Sequence, residues 1–183
     1  MRQENNFEFI EILPYPIGFW VTTIKDLDCD YWINQSYEYK KSYPESVFKS
    51  NKGGWQSNDD IQLHPSFHDL TNSILSISSS MYEHNNYKID EMWINISSFG
   101  CYNSLHSHGP HFNKPINLSG VLYLKVPKDS GNIVFYDPFD LNRFINFSPE
   151  EKMIIIFPDQ LLHMVEPNLN QEEDRISIAF NYG

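Results

Sequence analysis

The sequence has little cysteine and no long hydrophobic run. Only two cysteines, Cys29 and Cys101, occur among 183 residues, so a disulfide scaffold is not indicated and both are expected to be reduced, packed thiols. No stretch approaches the roughly 20 apolar residues that a membrane helix needs. The N-terminus also lacks the basic start and apolar run of a signal peptide. These absences predict a soluble cytoplasmic protein with no membrane partner.

Positive charge is also scarce. Thirteen Lys and Arg residues stand against 24 Asp and Glu residues, which gives a formal net charge of −11 and a pI near 4.9. A protein this acidic repels phosphate backbones over most of its surface, so no nucleic acid is expected as a partner. A local basic pocket for one small dianion remains compatible with this charge.

Length and composition indicate one globular domain. A chain of 183 residues can bury a core, and 40% hydrophobic with 20% charged residues is a globular balance. Aromatic residues reach 15%, which favours strands. We expect a single domain over residues 1–183, in which strands, a loop and a helix over 1–88 support a core over 89–183.

The N-terminal half predicts few regular elements. Residues 7–24 indicate one or two strands that prolines interrupt, whereas residues 26–62 are polar and irregular. Residues 65–82 predict a helix, because their apolar positions recur at spacings of three and four. Those positions are Phe67, Leu70, Ile74, Ile77 and Met81.

Short runs of β-branched and aromatic residues follow residue 88, with turn signals between them. The runs are EMWINISSF, SGVLYLKV, GNIVFYD, MIIIFP and RISIAFN. Several short strands joined by turns predict a sandwich or barrel. The simplest architecture is mainly β, a double-sheet jelly-roll barrel with one or two N-terminal helices packed outside.

Three of the seven histidines lie in the segment NSLHSHGPHF. Residues i and i+2 of a strand face the same side, so His106 and His108 could converge on one ion, whereas His111 has the wrong parity. His163 follows the buried-looking run MIIIFPDQLL, and neutral imidazole is a preferred ligand for Fe(II), Zn and Cu. Each pattern alone also fits a surface pair or a core histidine, so the residues by themselves leave metal binding open.

A strand-like segment with an arginine begins twelve residues after His163. Alternation places Arg175 and Ser177 on one face and Ile176 on the other. A guanidinium beside a hydroxyl suits a carboxylate, and an arginine that faces a barrel interior is costly unless an anion meets it. The alternative is a strand-edge arginine paired in solvent with the acidic residues that precede it.

With these histidines and this arginine the sequence resembles the 2-oxoglutarate/Fe(II) oxygenases. Within them it is most similar to the small phage and bacterial group related to prolyl-hydroxylase-like members. The resemblance covers residues 92–183 well and residues 1–88 loosely. It implies a double-stranded β-helix, which is a jelly roll, with Fe(II) as cofactor and 2-oxoglutarate as cosubstrate. The resembling segments, in the family's order, are MWINI, NSLHSHGPHF, SGVLYLKVP, GNIVFYDP, IIIFPDQLLHMVEPN and DRISIAFN, with GGWQS before them.

The resemblance also implies roles for single residues. His106 takes the first ligand position and His163 the distal one, while Arg175, with Ser177 as its helper, binds the far carboxylate of 2-oxoglutarate. Tyr123 falls where prolyl-hydroxylase-like members have a tyrosine touching the same carboxylate, and plain barrel packing is its alternative. Asn95 shares the parity of its strand's other inward positions and is a further candidate contact for the cosubstrate, with simple packing as the alternative.

The sequence departs from the family pattern at His108, where the usual ligand is a carboxylate. His-x-His is typical of the small group, so His108 is interpreted as a metal ligand. Three neutral ligands leave the site more positive by one charge than two histidines and a carboxylate would. If His108 is not a ligand, Asp137 is the next candidate, although Asp137 before a proline is typical of a strand-ending turn.

The function that the resemblance implies is a non-haem Fe(II)- and 2-oxoglutarate-dependent dioxygenase, which is an oxidoreductase. It would use O2 to hydroxylate an unidentified small-molecule or peptide substrate in the cytoplasm, of the host if the chain is phage-encoded, and would release succinate and CO2. No catalytic residue is assigned beyond the metal ligands. The alternatives are a cupin-type three-histidine metalloenzyme that does not use 2-oxoglutarate, and a non-enzymatic jelly-roll binding module.

Overall fold

Strands are the most abundant regular element in the computed structural model, which describes residues 20–81, 88–108, 118–137 and 139–182, with only the backbone of 78–81. The elements in chain order are β1 (Trp20–Thr23), α1 (Cys29–Ser42), β2 (Asn51–Lys52), β3 (Trp55–Gln56), α2 (His68–Met81), β4 (Ile89–Ser97), β5 (Tyr102–His106), β6 (Leu118–Lys125), β7 (Ile133–Tyr136), β8 (Phe144–Phe147), β9 (Met153–Pro158), β10 (His163–Val165) and β11 (Arg175–Tyr182). Short 3₁₀ helices at Ile61–Leu63 and Pro65–Phe67 precede α2.

The strands form two antiparallel sheets. The larger sheet has the order β1-β9-β6-β11-β4-β3 and the smaller sheet the order β2-β5-β10-β7-β8. From β4 onward the chain passes repeatedly from one sheet to the other, which is the connectivity of a jelly roll. The prediction of a mainly β double-stranded β-helix with helices packed outside is confirmed.

The larger sheet is buried on both faces, because its strands alternate between two hydrophobic cores. Ile94, Ile176 and Phe180 face outward and pack with Trp32 of α1 and Ile74 of α2 in one core. The residues between them in sequence face inward, because successive side chains of a strand point to opposite faces. The inward core joins residues of both sheets, namely Val121, Tyr123, Ile133, Phe135, Ile155, Phe157 and Leu161.

The predicted helix over 65–82 is confirmed as the 3₁₀ turn and α2, but the prediction that residues 26–62 are irregular is wrong. That segment contains α1 and the short strands β2 and β3. Asp28 caps α1 by accepting a hydrogen bond from the Tyr31 backbone N–H at 3.0 Å. The buried stripe of α1 includes a serine among its aromatic residues, which hid the helical period from a hydrophobicity pattern. The stripe is Cys29, Trp32, Ser36 and Tyr39.

The five strand-like runs after residue 88 are confirmed as β4, β6, β7, β9 and β11. Four strands were not predicted from the sequence, namely β8, β10 and the two-residue strands β2 and β3. β2 pairs with β5 in the smaller sheet, and β3 pairs with β4 in the larger sheet. Of the predicted strands over 7–24, the structure shows β1, and residues 7–19 lie outside the described ranges. β5 ends at His106, so His108 lies just beyond the strand.

Two further expectations concern cysteine and the membrane. Cys29 and Cys101 are both buried and form no disulfide, as predicted. None of the helices in the described ranges has the length and apolar character to cross a membrane.

Candidate metal centre

The structure brings together the three histidines that the sequence singled out. His106 on β5 lies directly opposite His163 on β10, and the centroids of their rings are 4.3 Å apart. The ring of His108 lies 5.4 Å from that of His106 and 5.2 Å from that of His163. One nitrogen from each ring can be chosen so that all lie within 4.8 Å of one another. His111, the histidine of opposite parity, lies outside the described residues.

The hydrogen bonds of the three rings leave one nitrogen of each available to a metal. Each Nδ1 contacts a carbonyl or amide oxygen, which can only accept, so each Nδ1 carries the hydrogen and each Nε2 keeps its lone pair. Metal-binding histidines usually donate their other N–H in this way. The contacts are His106 Nδ1 to the Ser104 carbonyl at 2.7 Å, His163 Nδ1 to the Leu161 carbonyl at 2.8 Å, and His108 Nδ1 to Asn181 Oδ1 at 2.6 Å.

Burial keeps the three imidazoles neutral. Together with the nearby His108 it lowers the pKa of His106 to about 4, against the opposing effect of the hydrogen bond with the Ser104 carbonyl. Burial, with His106 and His108 close by, holds the pKa of His163 well below its ordinary value. The pKa of His108 is also lowered by burial, against the opposing effect of its hydrogen bond with Asn181. Neutral imidazole is the form that ligates divalent transition metals.

An interior pocket joins the histidines to Arg175, whose side chain is only 3% exposed. Its Nη1 donates to the Ser130 carbonyl and lies 3.3 Å from the Glu166 carbonyl oxygen. In the described part of the chain it forms no salt bridge, and burial lowers its pKa. A buried cation held only by main-chain carbonyls fits an anionic ligand.

The alternative of a solvent-paired Arg175 does not hold, because the acidic residues before it have other partners. Asp174 accepts a hydrogen bond from the Tyr37 hydroxyl at 2.9 Å. Glu173 lies 2.9 Å from Lys125 Nζ.

Asn95, Ser177 and Tyr123 form one row across three strands and line the same pocket as Arg175. Ser177 on β11 lies opposite Asn95 on β4 and opposite Tyr123 on β6. Burial raises the pKa of Tyr123 above its usual range, despite the opposing effect of Arg175, so its hydroxyl stays a donor. Asn95 Oδ1 is buried and has no hydrogen-bond partner among the described residues, which marks a polar position that a ligand or water can satisfy.

Asp137, the fallback ligand, is part of a turn and not of the histidine group. Its Oδ1 accepts from the backbone N–H of Phe139 at 2.8 Å and of Asp140 at 3.2 Å. Its other oxygen lies 3.6 Å from Arg143 Nη1. The strand-ending turn is therefore the correct interpretation of Asp137.

Two polar residues near His108, Glu91 and Ser119, were not predicted from the sequence. They lie on either side of Asn181, on β4 and β6, and Asn181 contacts His108. Asn181 has the same parity as Arg175, which was a signal that it faces inward. Its neighbours on other strands depend on register and could not be read from the sequence.

A second cavity adjoins the three histidines and shares His106, His108 and Trp93 with the interior pocket. Lys49 and Glu91 bring one charge of each sign to its walls. The histidine rings therefore lie between an interior pocket that ends at Arg175 and a polar outer cavity.

The three neutral imidazoles, the buried guanidinium and the unsatisfied Asn95 oxygen fit a divalent metal together with a small dianion. Residues 138–181 match the model of a protein family described as "Putative 2OG-Fe(II) oxygenase". The matched segment includes His163, Arg175 and Ser177.

Three solved structures illustrate the shared fold. The epimerase SnoN from nogalamycin biosynthesis is 12% identical with a TM-score of 0.70, over 90% of this chain and 77% of that one. A Trichoplax adhaerens prolyl hydroxylase, solved with a hypoxia inducible factor peptide fragment, is 16% identical with a TM-score of 0.67, over 91% and 83%. HygX from Streptomyces hygroscopicus, solved with nickel and 2-oxoglutarate, is 13% identical with a TM-score of 0.65, over 91% and 83%. At these identities the likeness shows the fold.

A curated relative matches a shorter stretch. Over 81 residues the chain is 31% identical to a cystathionine beta-lyase of Saccharomyces cerevisiae, which is 42% of this chain and 17% of that protein. The chain thus spans about a sixth of the relative's length, and the likeness does not bear on activity. The family model over residues 138–181 and the shared fold agree with the resemblance seen in the sequence, which is confirmed: the chain is similar to the 2-oxoglutarate/Fe(II) oxygenases.

Proposed function

We propose that the chain hydroxylates a substrate at an iron(II) centre held by His106, His108 and His163, with 2-oxoglutarate bound by Arg175 and Ser177. The balanced reaction consumes 2-oxoglutarate, O2 and a C–H bond, and yields succinate, CO2 and an alcohol. The observation that carries the proposal is that the three imidazole rings line the same interior pocket as the buried guanidinium of Arg175, which forms no salt bridge with any of the described residues.

The protein holds and orients the metal and the cosubstrate, because the cofactor carries the difficult chemistry. Bound iron(II) would activate O2, so that the oxidative decarboxylation of 2-oxoglutarate is coupled to oxidation of the substrate. The hydrogen bonds at Nδ1 fix the direction in which each Nε2 lone pair points. The walls around His163, which include Phe135 and Phe157, keep that side of the site apolar and dry.

Arg175 is the proposed partner of the far carboxylate of 2-oxoglutarate. A guanidinium has five N–H donors in a planar fork. The Nη1 group of Arg175 donates hydrogen bonds to main-chain carbonyls. Its Nε and Nη2 donors therefore remain for a carboxylate. The hydroxyls of Ser177 and Tyr123 and the side chain of Asn95 border the same space and are proposed as further contacts.

The outer cavity is the proposed entrance for the substrate, because it borders the two rings His106 and His108. Its polar walls, with Lys49, Glu91 and the ring of Trp93, suit a small polar molecule or a peptide side chain. The two unpaired thiols support the expectation that the chain works in the reducing cytoplasm.

The proposal is tested by adding Fe(II) and 2-oxoglutarate without oxygen, admitting O2, and measuring succinate. Substrate-free turnover should form succinate in the wild type and in the control His68→Ala, whose histidine is exposed. Arg175→Gln should lose most of this turnover, because the donor fork is gone.

Two results would overturn the proposal in favour of its rivals. Bound metal without any effect of 2-oxoglutarate or of Arg175→Gln would indicate the cupin-type enzyme. No bound metal in any preparation would indicate a binding module with structural histidines.

A further inference from the structure

A row of polar side chains crosses the larger sheet at the rim of the pocket, next to His108. Asn181 on β11 lies opposite Glu91 on β4 and opposite Ser119 on β6. Asn181 Nδ2 donates to Glu91 Oε2 at 2.6 Å, and Asn181 Oδ1 lies 2.6 Å from His108 Nδ1. Ser119 Oγ lies 2.7 Å from the same amide oxygen and 2.9 Å from His108 Nδ1. A continuous hydrogen-bonded chain therefore runs from the Glu91 carboxylate to His108.

The direction of this chain follows from what each group can do. A carboxylate can only accept, so Glu91 requires the NH2 end of Asn181. The amide oxygen of Asn181 then faces His108, which must carry its hydrogen on Nδ1. If the amide were reversed, two oxygens would face each other, and the NH2 group would favour His108 with its hydrogen on Nε2. That tautomer offers no lone pair to a metal in the pocket.

His108 differs in this respect from the other two histidines. His106 and His163 each contact a main-chain carbonyl two residues earlier, and a main-chain carbonyl cannot reverse. His108 lies beyond the end of β5, and its acceptor is a side-chain amide that can rotate by half a turn. Its tautomer is therefore set by whatever orients Asn181.

We propose that Glu91, acting through Asn181, is the positioning residue that holds His108 with its Nε2 lone pair directed at the metal. The inference rests on the proposed function, because it takes His108 as a ligand. It also offers a place for the negative charge that a carboxylate ligand would bring. The charge of Glu91 is connected to the His108 ring through two hydrogen bonds and is not bound to the metal. Hydrogen bonds of this kind raise the basicity of the ligand, and their loss typically costs about 10- to 100-fold in metal affinity.

The first measurement is nitrogen NMR of the histidine side chains in metal-free protein, which reports which ring nitrogen carries hydrogen. The wild type should show His108 with hydrogen on Nδ1. Glu91→Leu should move a large fraction of His108 to the other tautomer and leave His106 and His163 unchanged. Glu91→Gln should retain the wild-type tautomer, because the glutamine oxygen can still accept from Asn181.

The second measurement is Ni(II) affinity without oxygen or cosubstrate. Glu91→Leu should bind about 10- to 100-fold more weakly than wild type, and Glu91→Gln should lie between them, because it keeps the orientation but loses the charge. The matched control is Asp90→Asn, which removes one negative charge from the neighbouring position of β4, where the carboxylate pairs with Lys88. It should bind as the wild type does.

A rescue variant separates positioning from a general effect on folding. In Glu91→Leu/Asn181→Asp a carboxylate meets His108 directly, so the Nδ1–H tautomer and most of the Ni(II) affinity should return. An unchanged His108 tautomer and unchanged affinity in Glu91→Leu would overturn the inference, as would a failure of the double variant to restore either. If the wild type binds no Ni(II), the proposed metal centre fails, whereas the tautomer of metal-free Glu91→Leu still decides whether Glu91 orients His108.

Discussion

Individual side chains divide the barrel interior into a neutral part and a cationic part. The three imidazoles are neutral because burial lowers their pKa values, and the Arg175 guanidinium stays charged at the other end of the pocket. A chain with a net charge of −11 thus keeps a buried cation, Arg175, that an anionic ligand could meet. Changes to one side chain should therefore separate metal binding from cosubstrate binding.

Replacing His106 by alanine should remove metal binding and leave the fold intact. The side chain is only partly buried, so the cavity it leaves is open to the pocket. We expect Ni(II) or Zn(II) affinity to fall by about 100-fold or more, since even an indirect partner of a ligand is worth 10- to 100-fold. Titration calorimetry would measure this against His68→Ala, whose affinity should match the wild type. Equal affinity of the two variants would contradict the ligand assignment.

Gly131 carries the turn whose carbonyls hold Arg175, and its backbone requires glycine. Its φ is +85°, and an added Cβ would lie 2.6 Å from the Glu166 carbonyl oxygen and 2.7 Å from that of Pro167. Gly131→Ala should lower the free energy of unfolding by about 2–4 kcal/mol, which combines the cost of a left-handed alanine with the clash.

The matched control for Gly131→Ala is Gly100→Ala. Gly100 has a φ of +77°, but an added Cβ meets nothing within 4 Å. Urea unfolding should show a smaller loss, about 1 kcal/mol, due to backbone strain alone. Equal losses in the two variants would mean that the close approach to the Glu166 and Pro167 carbonyls is not important.

At the level of elements, the helices support the site by covering the outer face of the strands that carry it. β4, β6 and β11 each place alternate residues in the helix-facing core and in the pocket. Helix α1 belongs to this support, because Trp32 packs against Phe67 with their ring centroids 5.8 Å apart. A change that destabilises α1 should therefore lower the free energy of unfolding of the whole domain.

The N-cap of α1 provides a test of this coupling. Asp28→Ala removes the acceptor of the Tyr31 N–H bond and should lower the free energy of unfolding by about 1 kcal/mol. Asp26→Ala removes the same charge from an exposed position before the cap and should change stability by less than about 0.5 kcal/mol. Chemical denaturation of both variants, followed by far-ultraviolet circular dichroism, makes the comparison. A loss no greater for Asp28→Ala than for Asp26→Ala would show that the cap is not needed.

For the whole molecule, ligands that bind only the folded chain should stabilise it. At a ligand concentration of about 100 times Kd the gain is about 2.7 kcal/mol. In a chain of this size that raises Tm by about 5–10 °C. Ni(II) together with 2-oxoglutarate should produce this shift in the wild type, as measured by thermal unfolding without iron or turnover.

Arg175→Gln separates the two ligands in the same assay. The variant should keep the shift caused by Ni(II) alone, because the histidines are unchanged, and should lose most of the additional shift caused by 2-oxoglutarate. A full 2-oxoglutarate shift in Arg175→Gln would mean that the cosubstrate is held elsewhere.

Much of the fold and part of the site could be predicted from local pattern. Alternation in β4, β6, β7, β9 and β11 and the stripe of α2 depend on neighbouring residues only, so they are visible in the sequence. The two faces of β11, with Arg175 inward and Ile176 outward, follow from the same period. Helix α1 was missed because a serine and a tyrosine, Ser36 and Tyr39, stand where the pattern requires aliphatic residues.

By itself, the sequence determined the chemical types at the site: three imidazoles, one guanidinium, and the parity that turns Arg175 and Ser177 inward. Only the tertiary structure decided which groups meet, because strand register and sheet pairing join residues far apart in sequence. Register places His163 opposite His106, and it sets Asn181 between Glu91 and Ser119. The hydrogen bond that orients His108 depends on that register, and no local pattern in the chain contains it.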